Sequence, residues 1–339
     1  MSFSTFDTEA AIMQIIRSML ALTIAGVLAG CGSKAQPGPG GAGAPAAASQ
    51  RAQQKGDATA EEVAEEQRGD VRCPAKVKSP QRAAQAPIDD IVGVRPGLTY
   101  EEAANLVLCT HDLMVAQSDT SRGFNINTYG QTLRQGFSAQ FAEPRVQKTS
   151  QQYLKEMNDD FIARSGNAVR DTSRPGQSHW YVGTMGTPGA ERVISVGREE
   201  WFAEGKNPTM TSVEQALLKK YGTPTRHQKA GNQIYLSWTY DPFGRLITET
   251  SPLFNQCTAV TGPDGGANFS PDCGIVVGAM VVPMRDNADL GKSMSVAVVD
   301  QSGGYELLTA TQQAFERGEA QRRAQQVEAA AKNADAPNL

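Results

Sequence analysis

Cysteine is the residue type of this 339-residue chain with the widest chemistry open to it, and there are five. A thiol can be acylated, oxidised to a disulfide or, as its thiolate, bind a metal. Cys31 stands apart, because it ends an apolar run at 19–30 and precedes a stretch rich in glycine and proline. The other four are Cys73, Cys109, Cys257 and Cys273. Their chemistry depends on the compartment, since disulfides persist outside the reducing cytosol.

The apolar run predicts a signal peptide over residues 1–30. Arg17 supplies a positive charge directly before it, and the run has the length of a signal-peptide core. About 20 apolar residues would be needed to span a bilayer as a helix, and this run is shorter. The segment before Met13 is acidic, which is unusual for a signal peptide, so Met1 and Met13 both stay open as the start of translation.

The residues that close the run, Leu-Ala-Gly-Cys at 28–31, resemble the lipobox of bacterial lipoproteins. The resemblance implies that the Cys31 sulfur receives a diacylglycerol, that the chain is cut before it, and that the new amine is acylated, for example with palmitate. One buried acyl chain binds a bilayer marginally, whereas two or three hold stably. Gly32 stands where an Asp would retain the protein in the inner membrane, so the outer membrane, facing the periplasm, is implied. An ordinary signal peptide with a chance cysteine is the alternative.

An even set of four cysteines in an exported chain predicts two disulfides, for which three pairings exist. The favoured pairing is Cys73–Cys109 with Cys257–Cys273. Each of these bonds closes a modest loop, and the second loop contains Gly-Pro-Asp-Gly-Gly at 262–266, which turns readily.

The remaining reactive side chains show no catalytic pattern. A metal site at Cys109 and His111 is disfavoured, because residues two apart diverge on a helix. His179 and His227 have no acidic partner at a telling spacing, and nucleophile-elbow, zinc-protease and Walker motifs do not occur. The loop at 264–272 offers oxygen ligands without EF-hand spacing. We therefore predict no enzymatic activity, no metal and no cofactor; a site assembled from distant residues is the alternative.

Composition predicts a tether before the folded body. Residues 32–70 hold almost no large apolar side chains and cannot offset the entropy of ordering, so 31–87 is predicted to be a disordered tether that begins at the lipidated cysteine. A match to G-x-G-x-x-G at 38–43 has neither a strand before it nor a helix after it, so it predicts no dinucleotide site. The formal net charge is −4 without a basic patch, which argues against nucleic acid as a partner.

Residues 88–205 are predicted to form a first α+β unit. Thr99 and Glu102 match a capping box, and apolar residues at helical spacing follow them. Further elements are expected as a helix at 153–164 and strands at 180–185 and 192–196.

Residues 206–308 are predicted to form a second α+β unit. Its helix is expected to begin at one of two capping boxes, Thr211 with Glu214 or Ser212 with Gln215, and to end at Gly222. The strand at 234–240 should place Ile234, Leu236, Trp238 and Tyr240 on one face. Strands at 274–284 and 294–300 should form a hairpin. The polar segment 309–339 is interpreted as a solvated helix and tail, or as a helix that docks a partner.

Both units resemble the SmpA/OmlA-like domain of accessory lipoproteins in the outer-membrane β-barrel assembly machinery. The first carries Gly-Leu-Thr-Tyr-Glu-Glu-Ala at 97–103, and the second carries Gly-Thr-Pro at 222–224 before Trp-Thr-Tyr at 238–240. The resemblance implies an α+β fold, with helices packed on one face of an antiparallel sheet or of two related sheet units. The related β-lactamase-inhibitor-like shape binds other proteins with its sheet face.

Aromatic residues cluster in the second unit, and most of them should be core. Tyr235, Tyr240 and Phe243 are the candidates for contact with a partner, because aromatic side chains dominate interface hot spots. The sequence thus predicts a membrane-anchored, non-enzymatic scaffold or accessory factor that binds another envelope protein. The alternative is an envelope hydrolase, or a peptidoglycan- or sugar-binding module.

Overall fold

Eight antiparallel strands form one open sheet in the computed structural model, which describes residues 56–69, 71–118, 124–165, 175–259 and 269–334. The strands are β1 (Met114–Ser118), β2 (Gly136–Phe141), β3 (Ser178–Met185), β4 (Arg192–Trp201), β5 (Arg226–Ala230), β6 (Gln233–Thr239), β7 (Ile275–Pro283) and β8 (Gly291–Asp300). Their order across the sheet is β1-β2-β3-β4-β8-β7-β6-β5. Five helices accompany them within these ranges: α1 (Ala60–Arg68), α2 (Tyr100–Leu108), α3 (Ser150–Ser165), α4 (Met210–Tyr221) and α5 (Gln301–Asn333). The predicted α+β class with an antiparallel sheet is confirmed.

The strand order divides the sheet into two four-stranded halves. β1 to β4 follow α2 along the chain and lie side by side in sequence order, and β5 to β8 follow α4 in the same way. The last strands of the two halves pair with each other, with Val196 opposite Val298 and Gly197 opposite Ala297. Both halves therefore share one continuous sheet.

One face of the sheet, called the first face below, packs against α2 and α4. Alternate strand residues point to it, because side chains alternate between the two faces of a strand. The largest core cluster joins helix residues such as Val107 and Leu217 to strand residues such as Trp180, Trp238 and Val277, all of them buried. This cluster is the main hydrophobic core.

The opposite face, the second face, packs against α5, which contacts β3, β4, β7 and β8. Ala297 and Val299 alternate with first-face residues of β8 and are nevertheless buried. Phe315 of α5 is also buried, and Gly304 lies so close to Phe269 that no Cβ would fit. Helices thus lie on both faces, whereas the sequence predicted helices on one face. The helix also begins at residue 301 and not at 309.

The segment predicted to be a tether is structured over its described part. Helix α1 lies within residues 31–87, begins at a capping box of Thr59 and Glu62, and packs Val63 and Ala64 against Val115 of β1. Capping and local packing order this segment although it holds few large apolar residues. The rest of the predicted tether, residues 31–55, and the predicted signal peptide lie outside the described residues.

The starts of α2 and α4 show how well capping patterns in the sequence predict the first residue of a helix. The capping box of α2 forms as expected, with Thr99 and Glu102 as its members. In α4 the N-cap is Thr209, whose hydroxyl accepts a hydrogen bond from Ser212 N–H, so neither predicted box is used. The backbone of Thr209 pairs with Leu290, which places the helix start two residues earlier than expected.

Glu102 joins the start of α2 to the preceding chain. Its carboxylate accepts hydrogen bonds from the backbone N–H groups of Thr99 (3.0 Å), Lys78 (2.6 Å) and Ser79 (2.8 Å), and from the Ser79 hydroxyl. Burial alone would raise the pKa of this carboxyl. The hydrogen bonds outweigh burial and lower the pKa to about 2.

Replacing Glu102 with Gln should destabilise the protein by about 2 kcal/mol at neutral pH. Because the folded-state pKa of about 2 lies below the unfolded value of 4.5, the stabilisation is full above the unfolded pKa and is lost as the pH falls through the folded pKa. The free energy of unfolding of Glu102→Gln and of wild type is measured in urea at pH 7 and at pH 3. The difference between the two proteins should be smaller at pH 3. The exposed Glu249→Gln serves as the control. A gap of equal size at both pH values would contradict this assignment.

Candidate functional site

Both disulfides favoured from the sequence are present. Cys73 is bonded to Cys109 and Cys257 to Cys273, with sulfur–sulfur distances of 2.02 and 2.09 Å. The bonded sulfur of Cys109 leaves no thiolate for the metal site considered with His111, whose ring stacks on another side chain. Among the described residues, no group of three or more His, Cys, Asp or Glu side chains could hold a metal ion. Cys31 and most of the loop at 264–272 lie outside the described residues.

The three aromatic residues predicted to contact a partner do not come together. Tyr240 is half-buried and packs against the main core, and burial raises the pKa of its hydroxyl. Tyr235 alternates with the first-face residues Leu236 and Ile234 and therefore points to the second face. Phe243 lies beyond β6 and is 84% exposed. The structure thus separates one core residue from two residues on different surfaces.

The segment 241–246, called the Phe243 turn below, is held by the buried Asp241. This carboxylate accepts hydrogen bonds from the backbone N–H groups of Phe243 (2.9 Å) and Arg245 (3.0 Å), and from Arg245 Nε (2.6 Å). Burial would raise the pKa of Asp241, but the bonds from the backbone and guanidinium of Arg245 outweigh it and lower that pKa. An ionised carboxylate therefore orders the backbone of the turn at Phe243 and at Arg245.

The surroundings of this turn are apolar and basic. The Arg245 guanidinium lies 5.3 Å from the centre of the Phe243 ring and is largely exposed. Gly244 lies against Pro87, in a chain segment that continues with Ile88, which like Leu246 is 37% exposed. A large exposed aromatic ring beside a cation is the composition of an interface anchor. Asp-Pro-Phe-Gly at 241–244 is a turn signal that could have located this feature from the sequence.

A second surface, the Tyr235 groove, lies where the second face of β5 and β6 meets the chain near the Cys257–Cys273 bond. It is a cavity of about 370 Å³. Its lining comprises Arg226, Gln228, Tyr235, Leu236, Ser237, Asn255, Cys257, Thr258 and Ala259. The residues on β6 lie on a strand that the sequence predicted, whereas those on β5 do not. The loop residues reach the groove because the second disulfide, Arg226 and Gln301 hold them beside the sheet.

The histidines do not form a catalytic arrangement with the groove. His227 Nε2 lies 2.9 Å from a carboxylate oxygen of Glu214, so His227 does have an acidic neighbour, supplied by α4. The neighbours of His227 on β5 line the groove on the second face, and His227 itself points to the first face. His179 lies on β3, where burial lowers its pKa. Neither histidine lines the Tyr235 groove.

No protein-family model, no curated protein and no solved structure matches this chain. None of the described helices combines the length and the apolar character needed to cross a bilayer.

Proposed function

We propose that the protein is a lipid-anchored scaffold of the bacterial envelope that binds another envelope protein and catalyses no reaction. Cys31 carries the lipid, the anchor lies in the outer membrane, and the folded body faces the periplasm. The proposal for the anchor is supported by the lipobox-like residues at 28–31 and by the two disulfides, which suit an oxidising compartment.

The observation that carries the binding proposal is the Phe243 turn. A disordered loop would lose backbone freedom on binding, and that loss weakens affinity. The backbone N–H groups of Phe243 and Arg245, together with Arg245 Nε, donate hydrogen bonds to Asp241 and order the backbone of the turn before any partner arrives. An exposed aromatic ring on an ordered turn, with an adjacent guanidinium, fits an apolar pocket with an acidic rim on the partner.

The anchor leaves the body free to meet such a partner. Residues 32–55 separate the proposed lipidated cysteine from the first described residue, Gly56. Gly56 accepts a hydrogen bond from Arg145, just after β2, which is the sheet end opposite to the one that bears the Phe243 turn. The turn would therefore lie far from the point where the tether enters the body.

Lipidation is tested by intact-mass analysis of the membrane-extracted protein and of Cys31→Ala. We expect the native protein to lack residues 1–30 and to carry the mass of its acyl chains. The variant should keep residues 1–30 and carry no acyl chains. A native protein that keeps its first thirty residues, or that leaves vesicles in plain buffer, would contradict the anchor.

Partner binding is tested by cross-linking in whole cells followed by purification of the tagged protein. Wild type should recover one specific envelope protein in stoichiometric amount, and Phe243→Ala should lower that recovery at least tenfold, as expected for a hot-spot residue worth about 2 kcal/mol. Tyr153→Ala is the matched control, since Tyr153 is an aromatic residue of α3 that is 58% exposed. Equal recovery by both variants, or recovery of lipid and bulk contaminants alone, would refute the proposal.

A further inference from the structure

The Tyr235 groove has the size of a small-molecule site and is lined by uncharged polar groups. Its volume of about 370 Å³ falls within the range of about 300–1,000 Å³ found for ligand pockets. Gln228 and Ser237 face it from adjacent strands, and Asn255 and Thr258 face it from the loop. The side chains of Gln228 and Ser237 make no hydrogen bond to any other residue that the structure describes, so their donors and acceptors are available.

The side chains of Tyr235 and Asn255 can also form further hydrogen bonds. Tyr235 donates its hydroxyl hydrogen to Gln233, so the lone pairs of its oxygen stay free to accept. Asn255 accepts a hydrogen bond from Arg226 (3.0 Å) through its carbonyl oxygen, which leaves two N–H donors on its amide nitrogen. The groove therefore offers donors and acceptors together, next to the ring of Tyr235.

The only cation among the lining residues is already engaged. Arg226 donates to the Phe254 carbonyl (2.7 Å) and to Asn255, and its guanidinium lies 3.8 Å from the centre of the Phe254 ring. These contacts make it a brace between β5 and the loop. A carboxylate or phosphate ligand would need a counter-charge that the lining does not otherwise provide. An uncharged ligand fits this lining better.

The walls of the groove are held in place before binding. The Cys257–Cys273 bond closes the loop, and both cysteines are buried with Ile247. The side-chain amide of Gln301, at the start of α5, donates to the Thr258 carbonyl (3.2 Å). Braces from the disulfide, from Arg226 and from α5 thus set the spacing of the polar groups, which lowers the entropic cost of binding.

We propose that the Tyr235 groove is a binding site for an uncharged, hydroxyl-rich saccharide segment. Sugar hydroxyls both donate and accept hydrogen bonds, as this lining requires, and the C–H face of a sugar ring can pack on Tyr235. The site is independent of the Phe243 turn, so it stands or falls apart from the proposed protein partner. An extended peptide is less well suited, because the adjacent edge strand β5 has five residues and bears Lys229, a device that discourages strand addition.

The test is ligand-observed NMR on the full-length protein in detergent, with N-acetylglucosamine tetramer and maltotetraose as saccharide probes. An uncharged alternating Ser-Val hexapeptide serves as the peptide probe.

At least one saccharide should bind, with a dissociation constant in the micromolar to millimolar range. Gln228→Ala and Ser237→Ala should each weaken binding about fivefold, the loss of one neutral hydrogen bond. Tyr235→Ala should remove measurable binding. Tyr153→Ala, at an exposed aromatic position of α3, is the control and should bind as wild type does.

Each outcome decides the proposal. Each variant should melt at the wild-type temperature, which shows that the groove residues act on binding and not on folding. Gln233→Ala, at a half-buried position, removes the hydrogen-bond partner of the Tyr235 hydroxyl and gives a second variant. Binding of the hexapeptide with no saccharide binding assigns the groove to peptides and overturns the proposal. The proposal is also overturned if no saccharide binds at millimolar saccharide concentrations in at least 20-fold excess over the protein. Equal weakening of saccharide binding in Tyr153→Ala overturns it as well.

Discussion

Trp238→Ala should destabilise the protein by about 4 kcal/mol, which is among the largest effects of any single substitution in the described chain. Trp238 is completely buried on the first face of β6, between the sheet and α4. Its indole N–H donates to the Gly222 carbonyl (2.9 Å) at the end of α4, and its ring centre lies 5.1 Å from that of Tyr221. Alanine would leave a cavity and an unpaired carbonyl at the contact that holds this helix end on the sheet.

Urea unfolding monitored by far-ultraviolet circular dichroism measures this loss. Trp238→Phe keeps most of the apolar volume but not the donor, so it should cost roughly half as much as the alanine variant. Tyr153→Ala, at an exposed position of α3, should unfold as wild type does. A loss below about 1 kcal/mol in Trp238→Ala would show that this contact does not hold α4 in place.

Removing the Cys257–Cys273 bond by a double alanine substitution should cost about 3 kcal/mol. In the chain-entropy model, a bond that joins residues separated by 16 positions restricts the unfolded chain by about that amount. Both cysteines are also buried in a small cluster with Ile247, so the bond closes a second, local core. Since Cys257 lines the Tyr235 groove and its bond holds the loop that forms one wall, saccharide binding should weaken together with stability.

The comparison is made in denaturant without reductant, against wild type and against the double alanine variant at Cys73 and Cys109. Cys73 is exposed, so the loss of that bond should leave the Tyr235 groove and its ligand binding unchanged. An unfolding midpoint of the Cys257→Ala/Cys273→Ala variant equal to that of wild type would contradict the role assigned to this bond.

Local signals in the sequence were reliable where the structure is local. The capping box at Thr99, the helix end at Gly222 and the central strands β3, β4, β6, β7 and β8 were predicted near their observed places. Alternation along 234–238 correctly placed Leu236 and Trp238 in the core. These features depend on neighbours within a few residues, so the residue types at those positions specify them.

The strands β1, β2 and β5 were missed for one physical reason. They lie at or near the sheet edges, and β5 reads Arg-His-Gln-Lys-Ala without apolar alternation. Pairing with β6 alone makes this segment a strand. The tertiary context overrides its weak propensity.

By itself, the sequence determined the fold class, the favoured disulfide pairing and the positions of the main helices and central strands, because these follow from periodicity, capping and loop closure. Only the tertiary structure decided which faces are covered. Helix α5 covers the second face although Gly303 and Gly304 give its start a poor helix propensity, because Gly304 admits the ring of Phe269. Tyr235 lies in a groove and Tyr240 lies against the core for the same kind of reason. Exposure is a property of what packs against a residue, and residues distant in the chain provide that packing.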